Sequence, residues 1–221
     1  MMSGTISIKE PLLLLVEGKN DQHFLDALIR KLSVDPVQVV RVNGKDNYSR
    51  FLKPLVMAPN FRSTVRRLGL IRDNDKDPDA AFKSIKSALE KNGLPCPKRP
   101  EAFTAGDPPI VGVFLMPGRG KEGCLEDLCL ATRPDHPSMA CVDEFMVCVA
   151  DRMNTDGSDA PAEDKAYGYP MHEKKARAHA FLASMPVSGT TVGIAAQEGY
   201  WKMDHPALKN LSEFLRTLTT P

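Results

Sequence analysis

Four short apolar runs recur along the first half of the chain, each bounded by polar or turn-forming residues. Runs of this length are typical of buried strands, and segments with apolar residues at helical spacing lie between them. Because strands and helices alternate, the pattern favours a parallel sheet with right-handed crossovers. The predicted strands cover residues 12–16, 37–42, a run beginning at 65, and 110–116.

Local signals set the bounds of the predicted helices. Asp77 is the expected N-cap of the helix after the third strand, with Pro78 as its first helical residue and Gly93 at its end. Residues 48–57 are predicted as a helix between strands two and three. Residues 94–109 hold five prolines and are predicted as a loop.

The second half of the chain is mostly helical in pattern, and it contains an acidic segment with Gly and Pro at 154–170 that we expect to be a mobile loop. We therefore predict an α/β fold, a Rossmann-like core of about four mainly parallel strands flanked by helices. The core occupies 1–135, and a helical C-terminal extension, 136–221, packs on it as one compact unit. The predicted late helices cover 124–131, 138–153, 172–184 and 206–218.

Composition narrows the class of protein. The 221 residues are 42% hydrophobic and 26% charged, as in ordinary globular proteins. The first apolar run is too short to cross a bilayer, and acids bracket it too closely for a secretory signal. The five cysteines form no CxxC pair, so we expect reduced thiols, a cytoplasmic location and no membrane association.

Charge is unevenly distributed although the net charge is only +1. Residues 41–72 carry eight Lys or Arg and one acid, whereas 143–164 carry seven acids and one Arg. A basic block is a modest indication of a polyanionic partner, and a solvated surface explains it equally well.

Carboxylates follow three of the four predicted strands. Ligands of parallel α/β sheets bind outside the carboxyl ends of the strands, so these acids are expected to converge. Converging carboxylates repel each other and need a cation, and an oxygen-only ligand set suits Mg²⁺ or Mn²⁺. The simpler alternative is that each acid separately caps a helix or faces solvent. The acids are Glu17 and Asp21 after strand one, Asp73 and Asp75 after strand three, and Glu126 and Asp127 after strand four.

Three segments together carry a family resemblance: VEGKND at 16–21, IRDND at 71–75 and GCLEDL at 123–128. They resemble the Toprim domain of overcoming-lysogenization-defect (OLD) nucleases and their small stand-alone relatives, over roughly residues 10–185. The Toprim pattern is a glutamate after the first strand and a DxD after the third. Glu17, Asp73 and Asp75 match it, and the OLD version adds acids that Asp21 and Glu126 match.

The resemblance implies a nuclease that cleaves phosphodiester bonds of DNA or RNA with two Mg²⁺ or Mn²⁺ ions, in a phage-defence setting. Glu17, Asp73 and Asp75 then hold one ion, and Asp21 and Glu126 support the second. Full-length OLD proteins also carry an ATPase domain, which we do not expect here, so a partner ATPase protein is an open expectation. The oligomeric state is open.

The same resemblance implies a late lysine near the metals. Lys175, in the helix predicted over 172–184, is the best match, and Lys165 and Lys174 are rivals. The alternative for all three is a solvated helix face.

Four basic residues are predicted to contact phosphate or nucleic acid. Lys45 follows the second strand, Arg50 belongs to the basic block, and Arg119 and Lys121 lie in the glycine-rich segment 117–123. Backbone amides and cations of such a loop can receive a phosphate, although an ordinary turn explains it as well.

Two further functions stay open from the sequence. One is another Toprim phosphotransfer reaction, although neither a primase zinc motif nor a candidate tyrosine nucleophile stands out. The other is a non-catalytic sensor or partner subunit that binds nucleic acid or a phage protein. A measurement of divalent-metal binding at the acids distinguishes the two, because an enzyme should bind two ions there whereas a binding subunit can tolerate the loss of these acids.

Overall fold

A computed structural model describes residues 7–74, 76–154, 173–187 and 189–220. Its strands form one sheet in the order β2-β1-β3-β4, and all three strand pairs are parallel. This confirms the predicted α/β class, and the third strand begins at Arg67 rather than at 65. The strands are β1 (Leu12–Val16), β2 (Gln38–Arg41), β3 (Arg67–Asp73) and β4 (Ile110–Met116).

The strand register brings the carboxyl ends of the strands together at one edge of the sheet. Val16 of β1 pairs with Arg41 of β2 and with Ile71 of β3, and Asp73 of β3 pairs with Met116 of β4. The residues that follow these strands therefore start from neighbouring positions.

Helices cover both faces of the sheet, and two 3₁₀ turns, Lys45–Asn47 and Pro206–Leu208, precede two of them. The helices are α1 (Lys19–Leu32), α2 (Tyr48–Met57), α3 (Phe61–Thr64), α4 (Pro78–Lys91), α5 (Leu125–Leu130), α6 (Ser138–Asn154), α7 (Glu173–Ala183), α8 (Val192–Gln197) and α9 (Lys209–Thr219).

Alternation along β1 divides the core into two layers. Leu14 and Val16 point into a cluster formed with α1 and with α5 to α9, whereas Leu13 and Leu15 point into a second cluster formed with α2, α3 and α4. Side chains of successive strand residues face opposite sides, so one strand serves both layers. Phe214 of α9 belongs to the first layer, so the C-terminal helices bury the same core as the strands.

Local signals predicted several helix bounds correctly. The helix at 48–57 is confirmed as α2, and the Asp77 carboxylate caps α4 by accepting a hydrogen bond from the Ala80 amide at 2.8 Å. The loop at 94–109 is confirmed, with one isolated bridge between Phe103 and Gly112.

Other expectations need correction or fall outside the described residues. Helices α3 and α8 were not predicted, and the expected helix at 206–218 divides into a 3₁₀ turn and α9. The expected mobile loop lies outside the described residues from 155 onward. The five cysteines are free in the structure. In the part of the chain that the structure describes, no helix combines the length and apolar character needed to cross a bilayer.

Candidate functional site

The first pair of acids lies where β1 passes into α1. Glu17 follows the last residue of β1, and its backbone carbonyl accepts a hydrogen bond from the Gly44 amide after β2 at 3.0 Å. Asp21 lies in the first turn of α1, where its Oδ2 accepts from the Gly18 amide at 2.8 Å. Its side chain is only 8% exposed. Asp21 is therefore both a helix cap and a buried carboxylate at the sheet edge.

The second set of acids joins β3 to α5. Asp73 is the last residue of β3, and its Oδ1 accepts a hydrogen bond from the Leu125 amide at 3.1 Å. Glu126, the next residue of α5, is 7% exposed. Asp127 instead closes the helix cap by accepting from the Cys124 amide at 2.9 Å, and it pairs with Lys174 at 3.3 Å. Because Asp127 is engaged in the helix cap and the ion pair, Glu126 is the α5 acid that can act together with Glu17, Asp21 and Asp73.

The charges of these acids act on each other. Burial raises the pKa of Asp21, and the Glu126 carboxylate raises it further. The hydrogen bond from Gly18 and the positive charge of Lys175 act in the opposite direction. Charged residues of α1, α5 and α7 therefore lie close enough to influence each other at this edge.

Tyr48 adds a buried hydroxyl to the same region. It is 2% exposed, and its hydroxyl donates a hydrogen bond to the Ile71 carbonyl. Burial raises the pKa of Tyr48 well above its ordinary value, and the charges of Glu17, Asp21 and Asp73 add to that rise. One hydroxyl is thus within the field of three carboxylates, two that follow the first strand and one at the end of the third. The sequence analysis did not identify Tyr48.

Two buried thiols stand beside the acids. Burial raises the pKa of Cys124 and of Cys129, and the charge of Glu126 is the next largest cause for both. Both side chains are therefore neutral thiols at pH 7, which are poor ligands for hard cations. The two thiols therefore add no ligand for a hard cation to the oxygen donors of the acids.

The lysine candidates differ in their surroundings. Lys174 pairs with the capping carboxylate of Asp127, whereas the charge of Lys175 acts on Asp21. Both are exposed at the start of α7. The rival Lys165 lies outside the described residues.

A family model described as a protein of unknown function (DUF3226) matches residues 11–220. The chain belongs to this family. No curated protein matches the sequence.

Solved structures of OLD proteins resemble this DUF3226 chain. The C-terminal region of the Burkholderia pseudomallei OLD protein has 13% identity and a TM-score of 0.49, covering 96% of this chain and 100% of that one. The C-terminal region of the Xanthomonas campestris pv. campestris OLD protein, phased with iodine, has 14% identity and a TM-score of 0.44, covering 96% of each chain.

The donor set of this DUF3226 chain fits a hard divalent cation. Glu17, Asp21, Asp73 and Glu126 offer only oxygen, and two of the four are buried where their charges are costly. Among the described residues, no group of three His, Cys, Asp or Glu side chains is arranged to hold an ion. Mg²⁺ commonly uses one or two carboxylates with water and substrate phosphate, so such a group is not required. Asp75 lies outside the described residues.

The predicted phosphate contacts fall in different places. Lys45 is exposed beside a cavity of about 740 Å³ that is also bordered by Arg72 and Asn74, the residues on either side of Asp73 in the sequence. Arg119 and Lys121 border a second cavity, of about 480 Å³, on the side of Pro117. Arg50 is exposed on α2 and is not among the described residues that border either cavity.

Sequence reasoning missed two buried polar residues at the end of β3. Arg72 is 8% exposed and Asn74 is 2% exposed, and both border the larger cavity. A signal was present, because Leu68, Leu70 and Arg72 alternate along β3 and Leu68 and Leu70 face the layer of α2 and α4. A charged residue at the third position of that alternation points to a polar cavity.

Proposed function

We propose that this chain is a nuclease that uses Mg²⁺ or Mn²⁺ to cleave phosphodiester bonds of DNA or RNA. One observation carries the proposal: carboxylates that follow two parallel strands and begin two helices act on each other and on the buried Tyr48. The ordered motifs VEGKND, IRDND and GCLEDL support it, because they resemble the Toprim segments of OLD nucleases.

The acids divide into two roles in this proposal. Glu17, Asp73 and Asp75 would hold one ion, and Asp21 and Glu126 would support a second. Such a pair of ions would supply the charge that activates a water molecule and stabilises the oxygen that leaves the phosphate. The protein positions the ligands by hydrogen bonds from backbone amides, which come from Leu125 to Asp73 and from Gly18 to Asp21.

Lys175 supplies positive charge near Asp21. Its charge already acts on Asp21. In the proposed reaction it stabilises the negative charge that develops on the phosphate, an interaction stronger in the transition state than in the ground state. Lys174 is held by Asp127 and serves the packing of α7 on α5.

A binding subunit without catalysis is the second candidate. The observation in its favour is that the described residues contain no three-ligand group arranged for an ion. In that case the basic residues beside the cavity bind a polyanion, and the acids serve as helix caps.

A cleavage assay tests the proposal. Wild-type protein, Asp73→Asn and Asp79→Asn are incubated with single-stranded DNA, duplex DNA and RNA, each with Mg²⁺, with Mn²⁺ and with EDTA. Asn at position 73 still accepts the Leu125 hydrogen bond but removes a ligand charge. Asp79 is an exposed acid of α4 and is not among the described residues that border the larger cavity. We expect metal-dependent cleavage of at least one substrate by wild type and by Asp79→Asn, and none by Asp73→Asn. If wild type cleaves nothing but binds one of these nucleic acids, the second candidate is correct.

A further inference from the structure

The smaller cavity lies between the glycine-rich turn 117–123, α5 and the start of α9. Its volume of about 480 Å³ is within the range of small-molecule sites. Arg67, the first residue of β3, donates to the Thr217 carbonyl near the end of α9 at 3.1 Å, whereas the start of α9 borders the cavity beside Pro117, which follows β4. Helix α9 therefore runs antiparallel to the strands, and its start lies at the carboxyl edge of the sheet.

Two hydrogen bonds hold the turn that forms one wall of this cavity. The Asn74 Nδ2 donates to the Lys121 carbonyl at 2.7 Å and ties the turn to the residue after Asp73. The Glu101 carboxylate accepts from the Arg119 amide. Arg119 has a φ of 54°, so the turn keeps a cation at a position where the backbone favours glycine. The cavity thus has a fixed wall that is anchored next to a proposed metal ligand.

The charge at the border of the cavity favours an anion. The described residues there include three bases, Arg119, Lys121 and Lys209, and two acids, Glu122 and Asp127. Asp127 is already paired with Lys174. Lys209 pairs with Glu213 at 3.8 Å, but both side chains are largely exposed, and such pairs are weak. The other two bases form no ion pair within the described part of the chain.

The start of α9 adds hydrogen-bond donors to these cations. Asn210 is half-buried, and its Nδ2 lies 3.6 Å from the position that a Cβ would take at Gly118. Its side-chain amide makes no hydrogen bond to any described residue. No side chain caps α9, so the positive end of the helix dipole also lies here. An oxyanion accepts from cations and from amide N–H groups together, and phosphate is the oxyanion that nucleic acid carries.

We propose that this cavity binds a backbone phosphate of a nucleic-acid strand, held by Arg119, Lys209 and the Asn210 amide. This phosphate is separate from the one that is cleaved, because none of the described acids proposed as metal ligands borders the cavity. The strand crosses the turn onto the start of α9, so the C-terminal helix takes part in substrate binding. The source of the phosphate rests on the proposed function, but the contact itself does not depend on cleavage.

Fluorescence anisotropy with labelled nucleic acid tests the proposal. Wild type and variants are titrated in EDTA with single-stranded DNA, duplex DNA and RNA at several salt concentrations. Loss of one phosphate contact should reduce the slope of log affinity against log salt by about 0.7 on a single strand and about 0.9 on a duplex. We expect this reduction in Lys209→Gln and in Arg119→Gln. An unchanged slope in either variant, or no binding of any of the three by wild type, would overturn the proposal.

Two further variants separate this site from general charge. Arg216 is an exposed cation of the same helix, about 10 Å along its axis from Lys209, and Arg216→Gln should keep the wild-type slope. If its slope falls as much as that of Lys209→Gln, general electrostatics explains the affinity and the proposal is wrong. Asn210→Ala removes a hydrogen bond but no charge, so it should weaken binding roughly two- to tenfold at every salt concentration and leave the slope unchanged. Wild-type affinity in Asn210→Ala would overturn the role of that amide.

The titrations in EDTA keep this result apart from the proposed nuclease function. If Lys209→Gln and Arg119→Gln reduce the slope but wild type cleaves no substrate with metal, the phosphate site is correct and the chain is a binding subunit. If wild type cleaves with metal but Lys209→Gln keeps the wild-type slope, the nuclease function stands and the phosphate site is wrong.

Discussion

Asp21 shows how one side chain serves structure and chemistry together. Its carboxylate accepts the Gly18 amide and so caps α1, but its burial beside Glu126 raises its pKa. A cap alone does not need a charge, since Asn is as good an N-terminal hydrogen-bond acceptor. The buried charge of Asp21 thus lowers the stability of the folded protein, and the helix cap does not require it.

We predict that Asp21→Asn is more stable than wild type at pH 7 in EDTA. The pKa of Asp21 is raised in the folded protein, so ionisation opposes folding as pH rises above the ordinary value of 3.8. The difference between variant and wild type should vanish near pH 3, where the carboxyl is protonated in both states. Urea unfolding at the two pH values measures the difference in the free energy of unfolding. Asp79→Asn, at an exposed position, is the control and should not be more stable than wild type. Lower stability of Asp21→Asn at pH 7 would show that the charge supports the fold.

Lys175 is the second residue whose role can be isolated. If it stabilises developing charge on the phosphate, Lys175→Ala should lower turnover by roughly a hundredfold and leave Mn²⁺ affinity unchanged. Lys174→Ala is the matched control, because it removes only a partly exposed pair with Asp127. Single-turnover cleavage rates decide between them. If Lys165→Ala or Lys174→Ala is the inactive variant instead, the match of Lys175 to the family lysine is wrong.

Helix α8 supports the start of α1, where Asp21 lies. A Cβ added at Gly193 would stand 2.5 Å from the Asn20 carbonyl oxygen, so the two helices pack more closely than any larger residue permits. The Trp201 indole donates to the Val192 carbonyl at 2.9 Å and holds the other side of α8. This packing fixes the first turn of α1 against the core.

We therefore predict that Gly193→Ala destabilises the protein by about 1–3 kcal/mol, the usual cost of overpacking. Gln197→Ala, at an exposed position of the same helix, should change stability by less than about 0.5 kcal/mol. Denaturant unfolding measures both free energies. A stable Gly193→Ala would mean that α1 and α8 can move apart without cost.

The elements that the sequence predicted are those with long or strongly marked patterns. All four strands, α1, α2 and α4 carry clear apolar spacing, and Asp77 with Pro78 marks a helix start. Helix α8 has six residues, which are too few to show a helical periodicity. From sequence alone Gly193 suggests a turn, and only the structure shows that it allows Asn20 of α1 to pack closely. The positions of the acids after the strands were predictable from strand order. The alternation along β3 indicates only which face Arg72 occupies, whereas its burial depends on the packing of elements distant in sequence.

At the scale of the whole molecule, the basic block includes residues near both ends of β3. Lys45 lies near the carboxyl edge of the sheet, whereas Arg66 precedes β3 at the opposite end, roughly 20 Å from the end of that strand. That one nucleic-acid backbone contacts Arg41, Lys45, Arg50 and Arg66 stays a prediction, and such a strand would have to extend from the carboxyl edge to the far end of β3.

The salt dependence of nucleic-acid affinity tests whether Lys45 and Arg66 both contact the bound strand. If a nucleic-acid strand lies at the carboxyl edge, Lys45→Gln should reduce the slope of log affinity against log salt by about 1, since one phosphate contact is lost. Arg66→Gln should leave the slope unchanged. Fluorescence anisotropy at several salt concentrations measures both. An equal change for the two variants would place nucleic acid along the whole block.

The central claim is that the acids at the carboxyl edge of the sheet bind divalent cations, and calorimetric titration with Mn²⁺ tests it most directly. Wild-type protein and Asp79→Asn should bind Mn²⁺ alike, because Asp79 is an exposed acid of α4 and is not one of the proposed ligands. Asp73→Asn should lower the affinity by at least about tenfold, since even outer-shell changes cost that much at metal sites. Unchanged Mn²⁺ affinity in Asp73→Asn, or no binding by wild type, would contradict the account.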